Sequence, residues 1–538
     1  MKIPRYRIII NMVRFCKNVF SSVLGGILMS LWLTPALANN LSISNVSLED
    51  RDPSANTVVV KFDLSWDNSW RTKINHDAVW FIVRLLDAPS NPTINKLCRI
   101  NASGLNPSGS SAGSNAALEN YVPSDRYGAF IRRSSFSTIG SISSTSVKLK
   151  IDYSSAGFST SDNLYASVFG IEMVYVPTGI FYAGDYDTST ASLDEGSSDS
   201  DPWKISSEGV LSVTNPSSNG YRYVSNSNSG EDSTGTNFTI PAVFPKGYQG
   251  FYSMKYEITE GQWVAFLNSL PTASRSKRDL TDNTHKNTDT VQFRNTMSCS
   301  GSPLSCTTSR PYRAVSSLNW MDLCAFLDWA ALRPMTELEY EKIARGPRLP
   351  LKGEYAWGKT DLTAAATISG SSEDGTETIT TTNANANYND TTLNGGDTSL
   401  GSDYQKGPLR VGIFATGSSN RVSAGGGYYG VLELSGNLLE HVVTIGNAAG
   451  RAFTGNHGDG ALTTATGFEG NADTSGWPGL DANPAHGVIG ADGSGFRGGS
   501  WQDTADHLRI SDRSNAALTD TDAQNTYGGR GVRTYNGE

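Results

Sequence analysis

Three side chains able to exchange protons lie close together in one segment near the carboxyl end of the chain. Asp503, Asp506 and His507 fall within residues 499–509, which read Gly-Ser-Trp-Gln-Asp-Thr-Ala-Asp-His-Leu-Arg. A carboxylate beside an imidazole can act as a general acid or base. Ser500 precedes them, but no nucleophile elbow surrounds it. So polar a segment is more typical of a solvated loop, and we favour that interpretation.

The cysteines offer a second kind of chemistry. Cys16 lies near the amino terminus, and Cys98, Cys299, Cys306 and Cys324 follow, with none after Cys324. Cys299 and Cys306 flank a short loop of Ser, Gly and Pro, which predicts a structural disulfide in an oxidising compartment. A redox-active or metal-binding pair is the alternative, but neither a CxxC motif nor clustered histidines accompany it.

The amino terminus has the composition of a secretory signal peptide. Basic residues are followed by an apolar run over residues 19–33 and then by Ala36-Leu37-Ala38, which predicts cleavage after Ala38. A membrane anchor is the alternative, but the run is shorter than the ~20 residues that span a bilayer. We therefore expect a signal peptide over residues 1–38, no later membrane span, and a periplasmic, cell-surface or secreted protein.

Composition narrows the class of partner. The formal net charge is -9 and only 18% of the residues are charged. Because nucleic-acid binding requires a basic surface, we exclude a nucleic acid as partner. The abundance of Gly, Ser, Thr and Asn indicates an extracytoplasmic, loop-rich protein.

Short strands separated by polar turns fill residues 39–168. The clearest lie over residues 57–66, 78–86 and 146–153, where apolar and polar residues alternate or apolar residues run together. They predict a β-sandwich-like domain. Trp66 and Trp70 in its first long strand could form a sugar-binding platform, but packing in the core or a turn is the favoured interpretation.

The rest of the chain, residues 169–538, is predicted to form a second domain. Residues 185–235 and 362–402 are polar and poor in large apolar groups, so we interpret them as insertions without a core of their own.

Three helices are predicted within this second domain. Thr259 and Thr336 each begin a capping box, with helices running to about Leu270 and Arg345. A third helical stripe contains Cys324, which is expected to be a buried apolar residue rather than a nucleophile.

At this point the chain resembles the sulfatase-modifying factor, or formylglycine-generating enzyme, family. No single motif is decisive, but an ordered set of landmarks covers residues 169–533. They are Glu172-Met173-Val174-Tyr175-Val176-Pro177, Tyr256-Glu257-Ile258-Thr259, Asn319-Trp320, Leu332-Arg333-Pro334-Met335-Thr336-Glu337, Gly436-Asn437-Leu438-Leu439-Glu440, Phe496-Arg497-Gly498-Gly499-Ser500-Trp501 and the segment from Gly528 to Arg533.

The resemblance implies an α+β fold related to C-type lectins, with few helices and long loops, here preceded by the all-β sandwich-like domain. Calcium ions fasten such loops in this family. The matching ligands at a first site are the side chains of Glu433 and Glu440 and the carbonyls of Gly436 and Leu438. Those at a second site are the Asn387 and Asp403 side chains with the Tyr388 and Gln405 carbonyls. Oxygen ligands of this kind suit calcium, and capping of loops is the alternative for both sets.

The resemblance also supplies a test of catalysis. Active members use two copper-binding cysteines shortly after the Gly-Gly-Ser motif, where a soft thiolate ligand is needed. Because residues 499–509 contain no cysteine, copper is not expected. Related sulfoxide synthases bind iron through histidines, but the six histidines here are scattered without an HxxxH pair, so iron is not expected either.

Two classes of function follow from these observations. The favoured one is an exported, calcium-stabilised, non-catalytic module that presents a carboxy-terminal surface to a protein or glycan ligand. The alternative is a formylglycine-generating or nonheme iron oxidoreductase that acts on a thiol. A further alternative is a retroelement-diversified variable protein with the same lectin fold. The predicted ligand surface comprises Gln502, Asp503, Asp506, His507, Asn515 and Asn525.

Overall fold

A computed structural model describes residues 40–89, 92–186, 189–196, 201–214, 220–232, 237–281, 292–370, 372–396 and 405–535. The predicted signal peptide and Asp403 lie outside these residues. No helix within the described residues is long and apolar enough to cross a membrane.

Strands dominate the secondary structure, and most of them are short. The strands are β1 Ser42–Asp52, β2 Thr57–Arg71, β3 Asp77–Leu86, β4 Asn95–Leu97, β5 Arg99–Ile100, β6 Gly104–Leu105, β7 Leu118–Val122, β8 Ala129–Arg133, β9 Thr138–Asp152, β10 Tyr165–Val176, β11 Phe181–Ala183, β12 Asp194–Glu195, β13 Asp201–Ile205, β14 Leu211–Val213, β15 Tyr221–Arg222, β16 Phe238–Ile240, β17 Phe251–Met254, β18 Met297–Ser300, β19 Ser305–Thr308, β20 Arg333–Pro334, β21 Thr367–Ser369, β22 Thr378–Ile379, β23 Asn394–Gly395, β24 Leu439–Val443, β25 Ser494–Arg497, β26 Tyr527–Gly528 and β27 Gly531–Thr534.

The described α-helices are few, and all of them begin at or after Glu260. The α-helices are α1 Glu260–Ser269, α2 Thr272–Arg278, α3 Trp320–Trp329, α4 Glu337–Arg345 and α5 Ala448–Arg451, and three 3-10 turns cover Tyr153–Ala156, Pro484–His486 and Ala505–Leu508. A mostly β chain with few helices agrees with the predicted α+β class.

The capping boxes and helix ends were predicted from local chemistry. The Thr259 hydroxyl accepts a hydrogen bond from the Gln262 amide, and the Thr336 hydroxyl accepts one from the Glu339 amide. In return, the side chains of Gln262 and Glu339 accept from the backbone amides of Thr259 and Thr336. Gly346 ends α4 with a φ of 71°, a value that glycine adopts without a Cβ clash. The sequence interpretation of these helices is confirmed.

One long strand, β10, connects the two predicted domains, residues 39–168 and 169–538, which are called the amino-terminal and carboxy-terminal halves below. β10 pairs with β3 over ten residue pairs and, on its other edge, with β17. It thereby joins a sheet of order β20-β27-β17-β10-β3-β8-β7-β6. The domain boundary predicted after Val168 falls inside this strand, so the two halves share a sheet.

A second sheet, of order β1-β2-β9-β5, lies across the amino-terminal strands of the first. Apolar side chains from β2 and β9 on one sheet, and from β3 and β8 on the other, form one buried cluster between them. Trp66 belongs to this cluster, and its indole donates to Asp77 Oδ2 at 3.2 Å. Its role is therefore packing, as favoured from the sequence.

The two polar segments are more ordered than their composition suggested. Residues 185–235 supply β12 to β15 of a six-stranded sheet, and Leu193, Trp203 and Val213 are buried there. Residues 362–402 supply β21 to β23 and contribute Ile368 and Leu393 to a small apolar cluster. A few well-spaced apolar residues are enough to fold the described parts of both segments onto the domain.

A buried polar cluster fastens the amino-terminal strands to the carboxy-terminal half. Arg132 on β8 pairs with Glu119 at 2.8 Å, and Glu119 also pairs with Arg71 at 2.7 Å. Arg132 Nη1 reaches the hydroxyls of Tyr252 on β17 and of Tyr535, both at 3.2 Å. A single guanidinium therefore connects two strands of the amino-terminal half with two tyrosines of the other half.

Replacing Arg132 by Met is expected to lower the free energy of unfolding by about 3 kcal/mol. The change removes one hydrogen-bond donor from two buried tyrosine hydroxyls and from the Glu119 carboxylate, which keep only their other contacts, such as Tyr252 with His76 and Glu119 with Arg71. Urea unfolding of the mature chain measures the loss. Arg51→Met is the matched control, because Arg51 is partly exposed and donates only to two surface carbonyls. Equal losses in both variants would contradict the role given to Arg132.

Candidate metal centre and the ion pairs around it

The loop between residues 433 and 440 has an unusual backbone. Glu433, Gly436 and Asn437 all have left-handed φ angles, of 57°, 88° and 71°. A Cβ at Gly436 would lie 2.5 Å from the Asn387 carbonyl oxygen, so only glycine fits there. Asparagine tolerates the left-handed region better than most residues. The sequence Ser-Gly-Asn therefore turns the chain sharply at this point.

Asn437 holds the turned loop in place through every polar atom of its side chain. Its Oδ1 accepts from the Leu409 amide at 2.8 Å and from Asn387 Nδ2 at 3.1 Å. Its Nδ2 donates to Glu257 Oε2 in a short contact, and Glu257 Oε1 accepts from the Leu438 amide at 2.9 Å. These bonds fix the direction of the loop and bring Glu257 beside it.

Three buried carboxylates and one buried guanidinium meet at this loop. Glu257, Glu433 and Glu440 are each less than 8% exposed, and Arg530 is fully buried. Arg530 pairs with Glu440 at 2.5 Å and donates to the Leu432 carbonyl at 2.8 Å. Glu433 Oε1 accepts only from the Gly412 amide, at 2.7 Å. When all four groups are ionised, the cluster carries two excess negative charges.

Burial raises the pKa of the carboxyl groups at this loop. It raises the pKa of Glu433 to about 7, and Glu440 adds a smaller contribution in the same direction. Burial and the neighbouring carboxylates raise the pKa of Glu257 well above its ordinary value. Glu433 Oε2 and Glu440 Oε2 have no hydrogen-bond partner. Buried carboxylate oxygens in this condition are costly unless a cation compensates them.

The predicted first calcium set thus falls on one loop, together with a residue that the prediction omitted. Glu433, Gly436, Leu438 and Glu440 surround the turn, and Glu257 adds a third carboxylate from the segment before α1. In the sequence, Glu257 stands out only as part of the family landmark Tyr256-Glu257-Ile258-Thr259. That landmark does not indicate a contact with residue 440. Hard oxygen donors and the uncompensated charge fit a divalent cation such as calcium.

The second predicted calcium set is only partly described. Asn387 directs its amide nitrogen to the Gly407 carbonyl at 3.0 Å as well as to Asn437. The Tyr388 carbonyl accepts from Thr391 Oγ1, and the Gln405 carbonyl accepts from the Leu393 amide. These three residues therefore already bond within the protein, and Asn387 also supports the first loop through Asn437.

A network of buried ion pairs fastens α4 to the segment that carries the Gly-Gly-Ser motif. Glu337 pairs with Arg497 at 3.2 Å and with Arg513 at 2.7 Å. Glu341, one turn later, pairs with Arg497 at 2.7 Å and with Arg345 at 2.9 Å. All of these side chains are at most 1% exposed. Although burial opposes ionisation, Arg513 and Arg497 keep the pKa of Glu337 below its ordinary value.

The candidate acid-base residues after this motif each interact with a different partner. Asp503 Oδ2 accepts from the Ser500 amide at 2.8 Å and from the Ser500 hydroxyl at 2.7 Å. Asp506 forms a surface pair with Arg509 at 2.6 Å. His507 Nδ1 lies 3.5 Å from Asp512, which raises the pKa of the imidazole. The three side chains thus share a loop, but each interacts with a different partner.

The remaining members of the predicted ligand surface lie on nearby loops. Gln502 is exposed, and Asn515 and Asn525 are partly exposed. Asn515 and Asn525 use their carbonyls within the protein, accepting from the Phe496 amide at 2.8 Å and from the Trp501 indole at 3.2 Å. Their side chains remain available at the surface.

The four described cysteines and His441 are all buried. Cys299 and Cys306 pair across the β18–β19 hairpin and form a disulfide. Cys98 and Cys324 are free and buried, and burial raises the pKa of the Cys98 thiol to about 12. His441 is buried, lies 4.4 Å from the Phe496 ring centre to centre, and has a pKa lowered by burial to about 4.

One other acidic group was not anticipated. Asp328, Asp459 and Asp473 bring carboxylate oxygens within 4.8 Å of one another, the one such trio among the described residues. Asp328 Oδ1 accepts from the Asp459 amide, and Oδ2 accepts from the Asp473 amide, both at 3.0 Å. The buried Asp328 carboxylate therefore binds the 459–474 loop to α3.

The fold and the site together define a loop-rich, mostly β protein fastened by buried ion pairs and by one acidic loop. A family model, the sulfatase-modifying factor enzyme 1-like domain, matches residues 226–535. Because this match covers more than half of the chain, the protein belongs to that family. No curated protein matches the chain.

Glu433→Gln is expected to remove a pH dependence of stability from the metal-free protein. Because the folded pKa is raised from 4.5 to about 7, the ionised form is disfavoured in the fold. The stability present at pH 4 is then lost as the pH rises through 7, by at most about 3 kcal/mol. Urea unfolding of chelator-treated protein at pH 5 and pH 8 measures the difference. Glu469→Gln, a substitution on a partly exposed loop, should retain the wild-type difference, and so would Glu433→Gln if this account were wrong.

Arg513→Met is expected to cost about 3–5 kcal/mol in unfolding free energy, because it leaves a buried carboxylate with an incomplete set of partners. Arg509→Met, four residues earlier, removes a partly exposed pair with Asp506 and a contact with the Tyr355 hydroxyl, and it should cost less than about 1 kcal/mol. Thermal or urea unfolding compares the two. Similar costs would show that the buried network is not a principal source of stability.

Proposed function

We propose that the protein is an exported, non-catalytic member of its family, stabilised by calcium and able to present its carboxy-terminal loops to a protein or glycan ligand. The observation that carries the proposal concerns the segment after the Gly-Gly-Ser motif. There, Ser500 is bonded to Asp503, and the residues that follow contain no thiol.

Oxidation of a thiol by the family's chemistry requires a soft cysteine ligand for copper. The nearest alternatives are unsuited to this role. Cys98 and Cys324 are buried, and the pKa of each thiol is raised by burial, so neither is available as a thiolate. Cys299 and Cys306 are bonded to each other.

Calcium fits the loop at residues 433–440 for a physical reason independent of the resemblance. Two orphaned carboxylate oxygens and an excess of two negative charges are buried there, and Arg530 neutralises only one of the three carboxylates. A bound divalent ion would restore neutrality, with Glu433 and Glu440 as its carboxylate ligands and Gly436 and Leu438 as donors of carbonyl oxygen. Its role in this proposal is to hold the turned loop, not to take part in a reaction.

The surface offered to a ligand would consist of Gln502, Asp506, His507, Asn515 and Asn525 with their neighbouring loops. These side chains carry both donors and acceptors of hydrogen bonds. Since the underlying segment is fixed by Arg497 and Arg513, the loops could vary in sequence while their support stays rigid.

The first experiment is metal analysis of the purified mature protein combined with thermal unfolding. We expect about one calcium per chain after dialysis, and a melting temperature that falls on chelation and recovers on adding calcium. Glu440→Gln should reduce the calcium content and the recovery, whereas Glu469→Gln should change neither.

Stoichiometric copper or iron in place of calcium would contradict the proposal. Oxygen uptake with cysteine-containing peptides would then identify the protein as an oxidoreductase. A protein that contains no calcium and does not respond to it would refute the stabilising role while leaving the binding role to be tested by glycan and protein screens.

A further inference from the structure

A wide cleft lies where the amino-terminal strands meet the carboxy-terminal half, and it shares no residue with the acidic loop. It is bounded by β4 and β5 on one side and by the turn between α1 and α2 and residues 459–464 on the other. Its volume is about 580 Å³. Clefts of this size at the junction of two parts of a chain are common binding sites for small ligands.

The wall of this cleft contains a buried arginine without a carboxylate partner. Arg84 is 4% exposed and donates to neutral groups only, to Asn95 Oδ1 at 2.8 Å, to the Asn95 carbonyl at 2.9 Å and to the Gly460 carbonyl at 3.2 Å. Burial lowers the pKa of its guanidinium to about 10, so it remains charged. Asp328 acts on Arg84 only through space, and no carboxylate among the described residues is hydrogen-bonded to this buried charge, which therefore favours an anion in the cleft.

Two exposed cations lie at the mouth of the cleft. Lys96 and Arg99 are both exposed, and Arg99 covers the ring of Tyr127 at 5.0 Å while donating to its hydroxyl at 3.1 Å. With Arg84, they give the cleft three positive charges against the single negative charge of Asp459. The cleft is thus positive by two charges in a chain whose net charge is -9.

Hydroxyl groups supply most of the remaining polar lining. Ser155 in a 3-10 turn, Ser274 in α2 and Thr464 in a loop line the cleft, and the partly exposed Tyr127 provides an aromatic ring. Cations at one end and hydroxyls around the walls match a ligand with an anionic group on a polyhydroxylated body.

We propose that this cleft binds an acidic sugar, with its carboxylate or sulfate held by Arg84, Lys96 and Arg99 and its hydroxyls by the surrounding loops. The site is formed by both halves of the chain. It depends neither on calcium nor on the carboxy-terminal surface, so its failure would leave the proposed function untouched.

Isothermal titration of the mature, calcium-containing protein with galacturonic acid, glucose 6-sulfate and glucose tests the proposal. At least one acidic sugar is expected to bind at least tenfold more tightly than glucose, and added salt is expected to weaken its binding. The two acidic sugars distinguish a carboxylate site from a sulfate site.

A double variant, Lys96→Met with Arg99→Met, should weaken binding of the acidic sugar at least tenfold. Both side chains are exposed, so the fold should be preserved, which an unchanged melting temperature would show. Lys73→Met is the matched control, because Lys73 is an exposed lysine in the turn at the opposite end of β3. Its binding should equal that of the wild type.

Three results would overturn the proposal. They are absence of binding by both acidic sugars, binding of glucose as tight as that of the acidic sugars, and unchanged affinity in the folded double variant.

Discussion

The buried charge network around α4 is the interaction on which the carboxy-terminal half most depends. Glu337 and Glu341 each bond two arginines, and the partners in a pair lie up to 176 residues apart in sequence. In a domain with short strands and long loops, little apolar area is buried per residue, so the loops need directional fastening. Removing any one partner leaves a charge in a medium of low polarity, which makes the network sensitive to single substitutions.

The acidic loop at residues 433–440 follows the same principle with a different outcome. Arg497 and Arg513 both pair with Glu337, and they lower the pKa of its carboxyl group despite its burial. Glu433 accepts a hydrogen bond only from the Gly412 amide, and burial raises its pKa to about 7. Glu337 therefore has its charge balanced within the protein, whereas Glu433 keeps a carboxylate oxygen that a cation could bind.

Local features were predictable from the sequence, and distant pairings were not. The capping boxes at Thr259 and Thr336 were readable because the cap and its partner lie three residues apart, and the buried position of Cys324 followed from helical spacing. Glu257 was missed as a member of the acidic loop, because its contact with Leu438 spans 181 residues. The strands within residues 185–235 were missed because isolated apolar residues such as Trp203 become informative only when a partner sheet is known.

The position of β27 has a consequence for how the molecule is made. The strand lies between β17 and β20, inside the sheet that begins with the first half of the chain, yet it consists of Gly531–Thr534 near the carboxyl end. Arg530 just before it and Arg533 within it are both fully buried. Long-range strand pairing of this kind is slow, because loop closure must precede it. The largest sheet therefore cannot close until β27 has been synthesised, and until then β17 and β20 lack the strand that joins them.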